Sequence, residues 1–378
     1  MNNKVKIIVA TMAVGMAATL TGCGGCLGCA GCGGNSETTT LTRSNWFTGT
    51  SYNGIQPSFV EGHEKFSPEI ITYKVSYDGT KASNAYYEVD YKDGEFTTEF
   101  YAVTNWSSRV KSIPKGYEPK NTKEVVYYYR TELTISVQYT MKVGDKASTG
   151  WIENHDHVIT ESYFRAAGKS LQPLYSKQVI VSTSPANYQP TKLKDAYQEV
   201  DVTYENFYNN DCTKILSKTT ENGKTEQKEY DKLNKLDHTL FDNSSLYIAV
   251  RAMKLNSSLS EPINLFSAAA GGIDLYGIMS SDAELTNQER ADYTEALTEK
   301  GLFKPSDKNK YVSATAVTVS YAGGDLQGTS QTIWYASIIN PDNNISRATM
   351  LKLTVPISFN LGSLNYSLSE VNSTLWNG

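Results

Sequence analysis

The sequence predicts an α+β fold that is mostly β: a curved antiparallel sheet, or half-barrel, with two or so helices capping its concave face. Three observations predict it. Alternation with period two runs through most of the chain beyond residue 65. Asp-Gly and Asn-Gly pairs punctuate the alternating runs. The 26 tyrosines, beside many Ser, Thr and Asn, suit solvated β surface better than a helix bundle.

The chain opens with the short basic stretch Met1-Asn2-Asn3-Lys4-Val5-Lys6, followed by apolar or small residues from Ile7 to Leu20. A basic start, a short apolar run and small residues at its end are the pattern of a secretory signal peptide over residues 1–22. The run is too short to span a bilayer, which takes about 20 residues. Leu20-Thr21-Gly22-Cys23 resembles the lipobox of bacterial lipoproteins. The resemblance implies that Cys23 is acylated and becomes the first residue of the mature chain. The expected location is therefore extracytoplasmic, with the protein lipid-anchored to a bacterial membrane at the cell surface or in a periplasm.

Cys23, Cys26, Cys29 and Cys32 approach the cysteine spacing of bacterial iron–sulfur ligands. The last spacing is one residue short, and no proline follows Cys32. Thiols separated by glycines, with no apolar surround, leave nothing to hold a zinc or iron site rigid. Residues 23–65 read instead as a flexible Gly/Cys/Ser/Thr-rich tether, and no cofactor or metal is expected. The pairing of Cys26, Cys29, Cys32 and Cys212 is left open by the sequence.

Residues 66–378 form the β-rich body, read as one domain with an insertion near 257–310. Loss of residues 1–22 removes Lys4 and Lys6 and no acid, taking the formal charge from −5 to −7. An acidic body without a Lys/Arg cluster excludes a nucleic-acid partner.

Within the body, Leu133, Ile135, Val137, Tyr139, Met141 and Val143 alternate with polar residues, as a half-buried strand requires. Residues 87–91, 200–204 and 351–355 repeat the pattern. Asp78-Gly79, Asp93-Gly94 and Asn222-Gly223 are read as two-residue hairpin turns, and Ala322-Gly323-Gly324-Asp325 as a looser one. Two helices interrupt the strands. The first follows Asp242 as N-cap, with Leu246, Ala249, Val250 and Met253 at helical spacing. The second follows the capping box Thr286–Glu289, carries Tyr293, Ala296 and Leu297, and ends at Lys300-Gly301. Between them, 267–272 is small and apolar and is read as a flap.

The stretches "AGKSLQPLYSK" (167–177), "TYENFYNN" (203–210) and "FDNSSLYIAVRAMKL" (241–255) resemble an uncharacterised bacterial envelope family of LolA-like type. The ending "TIWYASIINPDNNISRATMLKLTVPISFNLGSLNYSL" (332–368) is similar too. Asp242, Ser245 and Arg251 hold the positions of that family's Asp, Ser and Arg. The resemblance implies a half-barrel with helices across its open face and, as in LolA-like carriers, a cavity for acyl chains.

No catalytic constellation emerges. His155-Asp156-His157 could place two imidazoles on one strand face, without a third ligand at motif spacing. Ser108/Lys111 and Ser112/Lys115 satisfy S-x-x-K without its companion motifs. Helix capping by Asp242 and an Arg251 tie to a neighbouring strand account for those residues without chemistry. The expectation is a non-catalytic lipoprotein binding or carrying an apolar ligand, whether a lipid, an acyl chain or part of another lipoprotein, lined by Leu246, Val250, Met253, Tyr293 and Leu297. The alternative is a structural or interaction module, without a ligand cavity, that binds protein or cell-wall glycan.

Overall fold

The computed structural model describes residues 69–124, 126–167, 170–251, 260–307, 309–322, 330–336, 338–340 and 345–373. The signal peptide, Cys23, the tether with Cys26, Cys29 and Cys32, and Met253 lie outside the described residues.

The first strands, β1 (Glu69–Asp78), β2 (Tyr87–Val103), β3 (Val126–Met141), β4 (Ile152–Ala167), β5 (Ser170–Pro185), β6 (Tyr197–Tyr208), β7 (Ile215–Glu221) and β8 (Lys224–Tyr230), form a continuous meander. A short strand β9 (Leu240–Asp242) leads into helix α1 (Leu246–Arg251). Then come β10 (Ser260–Ser267), β11 (Gly272–Ala283), helix α2 (Asn287–Glu299), β12 (Ala314–Tyr321) and β13 (Gln331–Ala336). The small hairpin β14 (Ile338–Asn340) and β15 (Ile345–Arg347) precedes β16 (Met350–Pro356) and β17 (Ser363–Ser373).

Among the described residues, all strands but β14 and β15 join one 15-stranded sheet, in the order β8 to β1, then β17, β16, β13, β12, β11, β10, β9. Every neighbouring pair is antiparallel except β9 with β10. The mostly β, curved antiparallel sheet expected from the sequence is thus the fold. The first and last of the described strands, β1 and β17, pair in the middle of the sheet and join its two halves.

The strand signals and turn signals fare differently. Leu133, Ile135, Val137, Tyr139 and Met141 are all buried on β3, while Val143 falls beyond the strand and is exposed. Asn222-Gly223 is a true two-residue turn: Glu221 pairs with Lys224, and both turn residues have positive φ. Asp93-Gly94 is not a turn. It sits inside the 17-residue β2 as a bulge, where Asp93 takes φ 55° and the β2–β3 register shifts. A Cβ on Gly94 would come within 2.7 Å of Val75 Cβ, so the glycine answers a close approach of strands. Asp78-Gly79 opens a longer loop, because β2 begins only at Tyr87. The Ala322–Asp325 connection lies largely outside the described residues.

Within the stretch 257–310 read as an insertion, β10 and β11 are consecutive strands of the main sheet. Two further expectations are corrected. The 267–272 segment is no flap but the tight turn joining them, its Gly271 carbonyl accepting from Lys228 Nζ and Tyr230 OH at 3.0 Å each. The tyrosines are mostly not solvated: Tyr73, Tyr87, Tyr139, Tyr276, Tyr335 and Tyr366 are among the largest fully buried side chains. Each phenol brings a large apolar ring and one polar atom, so a thick sheet core can be built from them where partners are in reach. Tyr73 OH donates to Met350 O, and Tyr139 OH to Thr183 O.

The outer face carries its own order. Directly paired residues Tyr101, Tyr128, Tyr163, Tyr175 and Phe207 form an aromatic row across β2 to β6, with ring centroids 4.9 to 6.2 Å apart. Two residues along each strand, Glu99, Arg130, Glu161, Lys177, Glu205 and Lys218 pair in alternating charge. Trp106 and Tyr117, from the segment between β2 and β3, pack over the aromatic row.

Candidate functional site

The residues singled out from the sequence divide between the two faces of the sheet. Helix α1 lies on the concave side. Its Tyr247 ring meets Phe96, which in turn meets Tyr366 edge-on, and its hydroxyl donates to Gln331 Oε1 at 3.2 Å. Tyr335 OH donates to the Tyr247 carbonyl at 2.7 Å. Helix α2 lies on the opposite face. Its Tyr293 hydroxyl bonds Ser367 Oγ at 2.7 Å, and Ser367 alternates with the inward Tyr366 and Leu368. Lys352, between the buried Leu351 and Leu353, reaches Glu289 at 2.6 Å from that same outer side. The expected lining therefore does not assemble: Leu246 and Val250 are on one side of the sheet, Tyr293 and Leu297 on the other. Helical periodicity reports that a face is buried, not which side of a sheet buries it.

All four are packed, at 1, 0, 2 and 0% exposure for Leu246, Val250, Tyr293 and Leu297. The cavity between α1 and β1, lined by Tyr73, Tyr129, Tyr247, Arg251 and Tyr335 among others, holds about 20 Å³. That is room for a water molecule and not for an acyl chain. The helix expected over 243–255 begins with a single 3-10 turn, Asn243–Ser245, and its described α-helical part ends at Arg251.

Asp242, Ser245 and Arg251 have clear structural work. Asp242 Oδ1 accepts from the Ser244 amide at 2.7 Å, which caps the turn. Its Oδ2 accepts from Ser176 Oγ on β5 at 2.6 Å and from the Tyr208 hydroxyl on β6. Asn206 Nδ2 donates in turn to Ser176 Oγ at 3.0 Å. Edge strand β9 is thereby fastened to the inner face of β5 and β6 by side chains, although no ladder bonds close the sheet there. Burial holds the Asp242 carboxyl above its usual range, against the opposing pull of its hydrogen bonds. Ser245 Oγ donates to the Asp242 carbonyl at 3.2 Å. Arg251 forms a two-pronged ion pair with Glu69, the first residue of β1, with Nη2 to Oε2 at 3.0 Å. Both side chains are buried, so the pair ties α1 to the middle of the sheet.

The His155-Asp156-His157 stretch splits as well. His157 Nε2 bonds Glu132 Oε1 at 2.7 Å. Asp156 points inward and is 1% exposed, with Oδ1 accepting from the Thr183 amide at 2.7 Å. Its desolvation pushes the carboxyl up to about 7. Ser108 Oγ is spent on the Asn105 carbonyl in a local turn. Cys212 is buried, its Sγ directed at the Pro173 carbonyl at 3.5 Å.

No family model matches the chain, and no curated protein matches it. In fold the chain is similar to the crystal structure of a beta-barrel-like protein of domain of unknown function DUF1849 from Brucella abortus. The identity is 9% and the TM-score 0.40, over 82% of this chain and 99% of that one.

Proposed function

We propose that the protein is a lipid-anchored, non-catalytic envelope module whose half-barrel is filled by its own side chains and whose outer surface meets a protein or a cell-wall glycan. The observation that carries this reading is the packing of α1 against the concave face, with about 20 Å³ left beside it. A carrier of acyl chains needs an apolar cavity of a few hundred Å³. The anchoring half rests on the lipobox-like Leu20–Cys23 after a short apolar run.

Two measurements test the two halves. A fluorescent fatty-acid probe titrated into the delipidated body should show no saturable binding; saturable binding in the micromolar range returns the carrier reading. Separately, Cys23→Ser should leave the unprocessed precursor and move the protein out of the Triton X-114 detergent phase. Partitioning like wild type would rule out the anchor.

A further inference from the structure

A roomier opening than the one beside α1 lies on the outer side of the sheet. After α2 the chain doubles back along it: Leu302 N and Phe303 N bond Leu297 O, and Val312 N bonds Thr294 Oγ1 at 3.0 Å. Between this returning segment and the first turns of α2 lies a cleft of about 450 Å³. Buried Leu285 and Val312 contribute an apolar floor, and Arg290, Asp307, Lys310 and Tyr311 contribute walls.

We propose that this cleft binds a saccharide bearing a carboxylate. Its volume falls within the range of small-molecule sites. The Arg290 side chain is more than half covered, yet among the described residues its guanidinium has no ion-pair or hydrogen-bond partner. A covered, unengaged guanidinium matches the planar fork of a carboxylate. Tyr311, 54% exposed at the rim, offers an aromatic side chain with an apolar face and a polar tip. A pyranose presents the complement, a C–H face flanked by hydroxyls. Asp307 supplies acceptors for those hydroxyls, and Lys310 a further donor. Among the described lining residues two cations stand against one carboxylate, a balance that suits a monoanion better than a phosphate dianion.

The inference deepens the surface-module reading, on which it rests for the choice of glycan over protein. Cellobiouronic acid and cellobiose, which differ by one carboxylate, are the probes, titrated into the intact mature protein and followed by calorimetry and amide NMR shifts. The acid should bind at least tenfold more tightly than the neutral sugar. Arg290→Gln should bring the acid to the level of cellobiose, and Tyr311→Ala should weaken both sugars at least fivefold. Near-UV circular dichroism checks that each variant is folded. Equal binding of the two sugars, no binding of either, indifference to Arg290→Gln, or tighter binding of inorganic phosphate would overturn the proposal. A fatty-acid probe in the same samples reports on the barrel alone. Its binding would sink the filled-barrel reading without touching the cleft result.

Discussion

Asp156 shows what a single residue does when sequence spacing points one way and packing another. Its two histidine neighbours suggest a metal site, but strand alternation sends Asp156 to the opposite face, into the core beside Tyr91 and Tyr139. One oxygen has the Thr183 amide, and the other is buried without a partner among the described residues. An ionised carboxylate there is costly, so the folded chain holds the proton up to about pH 7. The unfolded chain releases it near 3.8, the ordinary value of an aspartate. Because the native state binds the extra proton between those limits, stability falls as pH rises from about 4 to 7 and is level above. Asp156→Asn keeps the acceptor for Thr183 and removes the titration. It should therefore exceed wild type by about 1–3 kcal/mol at pH 8 and approach it near pH 4. Urea unfolding at the two pH values measures this, and a constant gap would refute it.

At the scale of elements, Asp242 replaces the backbone ladder that the sheet lacks between β9 and the β5–β6 face. Asp242→Ala removes the anchor of Ser176 and Tyr208 together and leaves both hydroxyls in the core. A loss of about 2–4 kcal/mol is expected, summing two orphaned groups. Hydrogen exchange should speed in β9 and α1 and leave the amides of α2 protected, because α2 is fixed elsewhere by Lys352 and Ser367. Uniform acceleration would show that Asp242 is not a local fastener. The same elements mark what was legible in the sequence. The strands of the core, the Asn222-Gly223 hairpin and the Thr286–Glu289 capping box could be read because their causes are local. Asp93-Gly94 misled because positive φ serves a bulge as well as a turn, and only the contact with Val75 distinguishes them. Of the candidate site, burial of Leu246, Val250, Tyr293 and Leu297 was legible. Their separation onto two faces was not, since it depends on Ser367 and Lys352 meeting α2 from far along the chain. The Arg290 cleft gave no signal, because the returning segment 302–313 carries no motif.

For the whole molecule, the question is whether a large curved sheet encloses space or fills it. A half-barrel built to carry acyl chains gains about 0.8 kcal/mol for each methylene it buries, and needs an empty lining to do so. Here helix α1 packs onto the concave side: Tyr247 sits against Phe96, Tyr335 bonds the Tyr247 carbonyl, and Arg251 holds Glu69. Val250 is fully buried within that packing. Replacing it by Trp distinguishes the two architectures. In an open cavity the larger ring would be accommodated with little loss of stability, while a bound fatty-acid probe would be displaced. In a filled interior the added volume has nowhere to go, and overpacking should destabilise by about 1–3 kcal/mol. The filled interior also predicts that no probe binding exists to be lost. Denaturant midpoints of wild type and Val250→Trp, with probe titration of both, therefore decide between them. A stable Trp variant that has lost probe binding would mean the concave side is a ligand site after all.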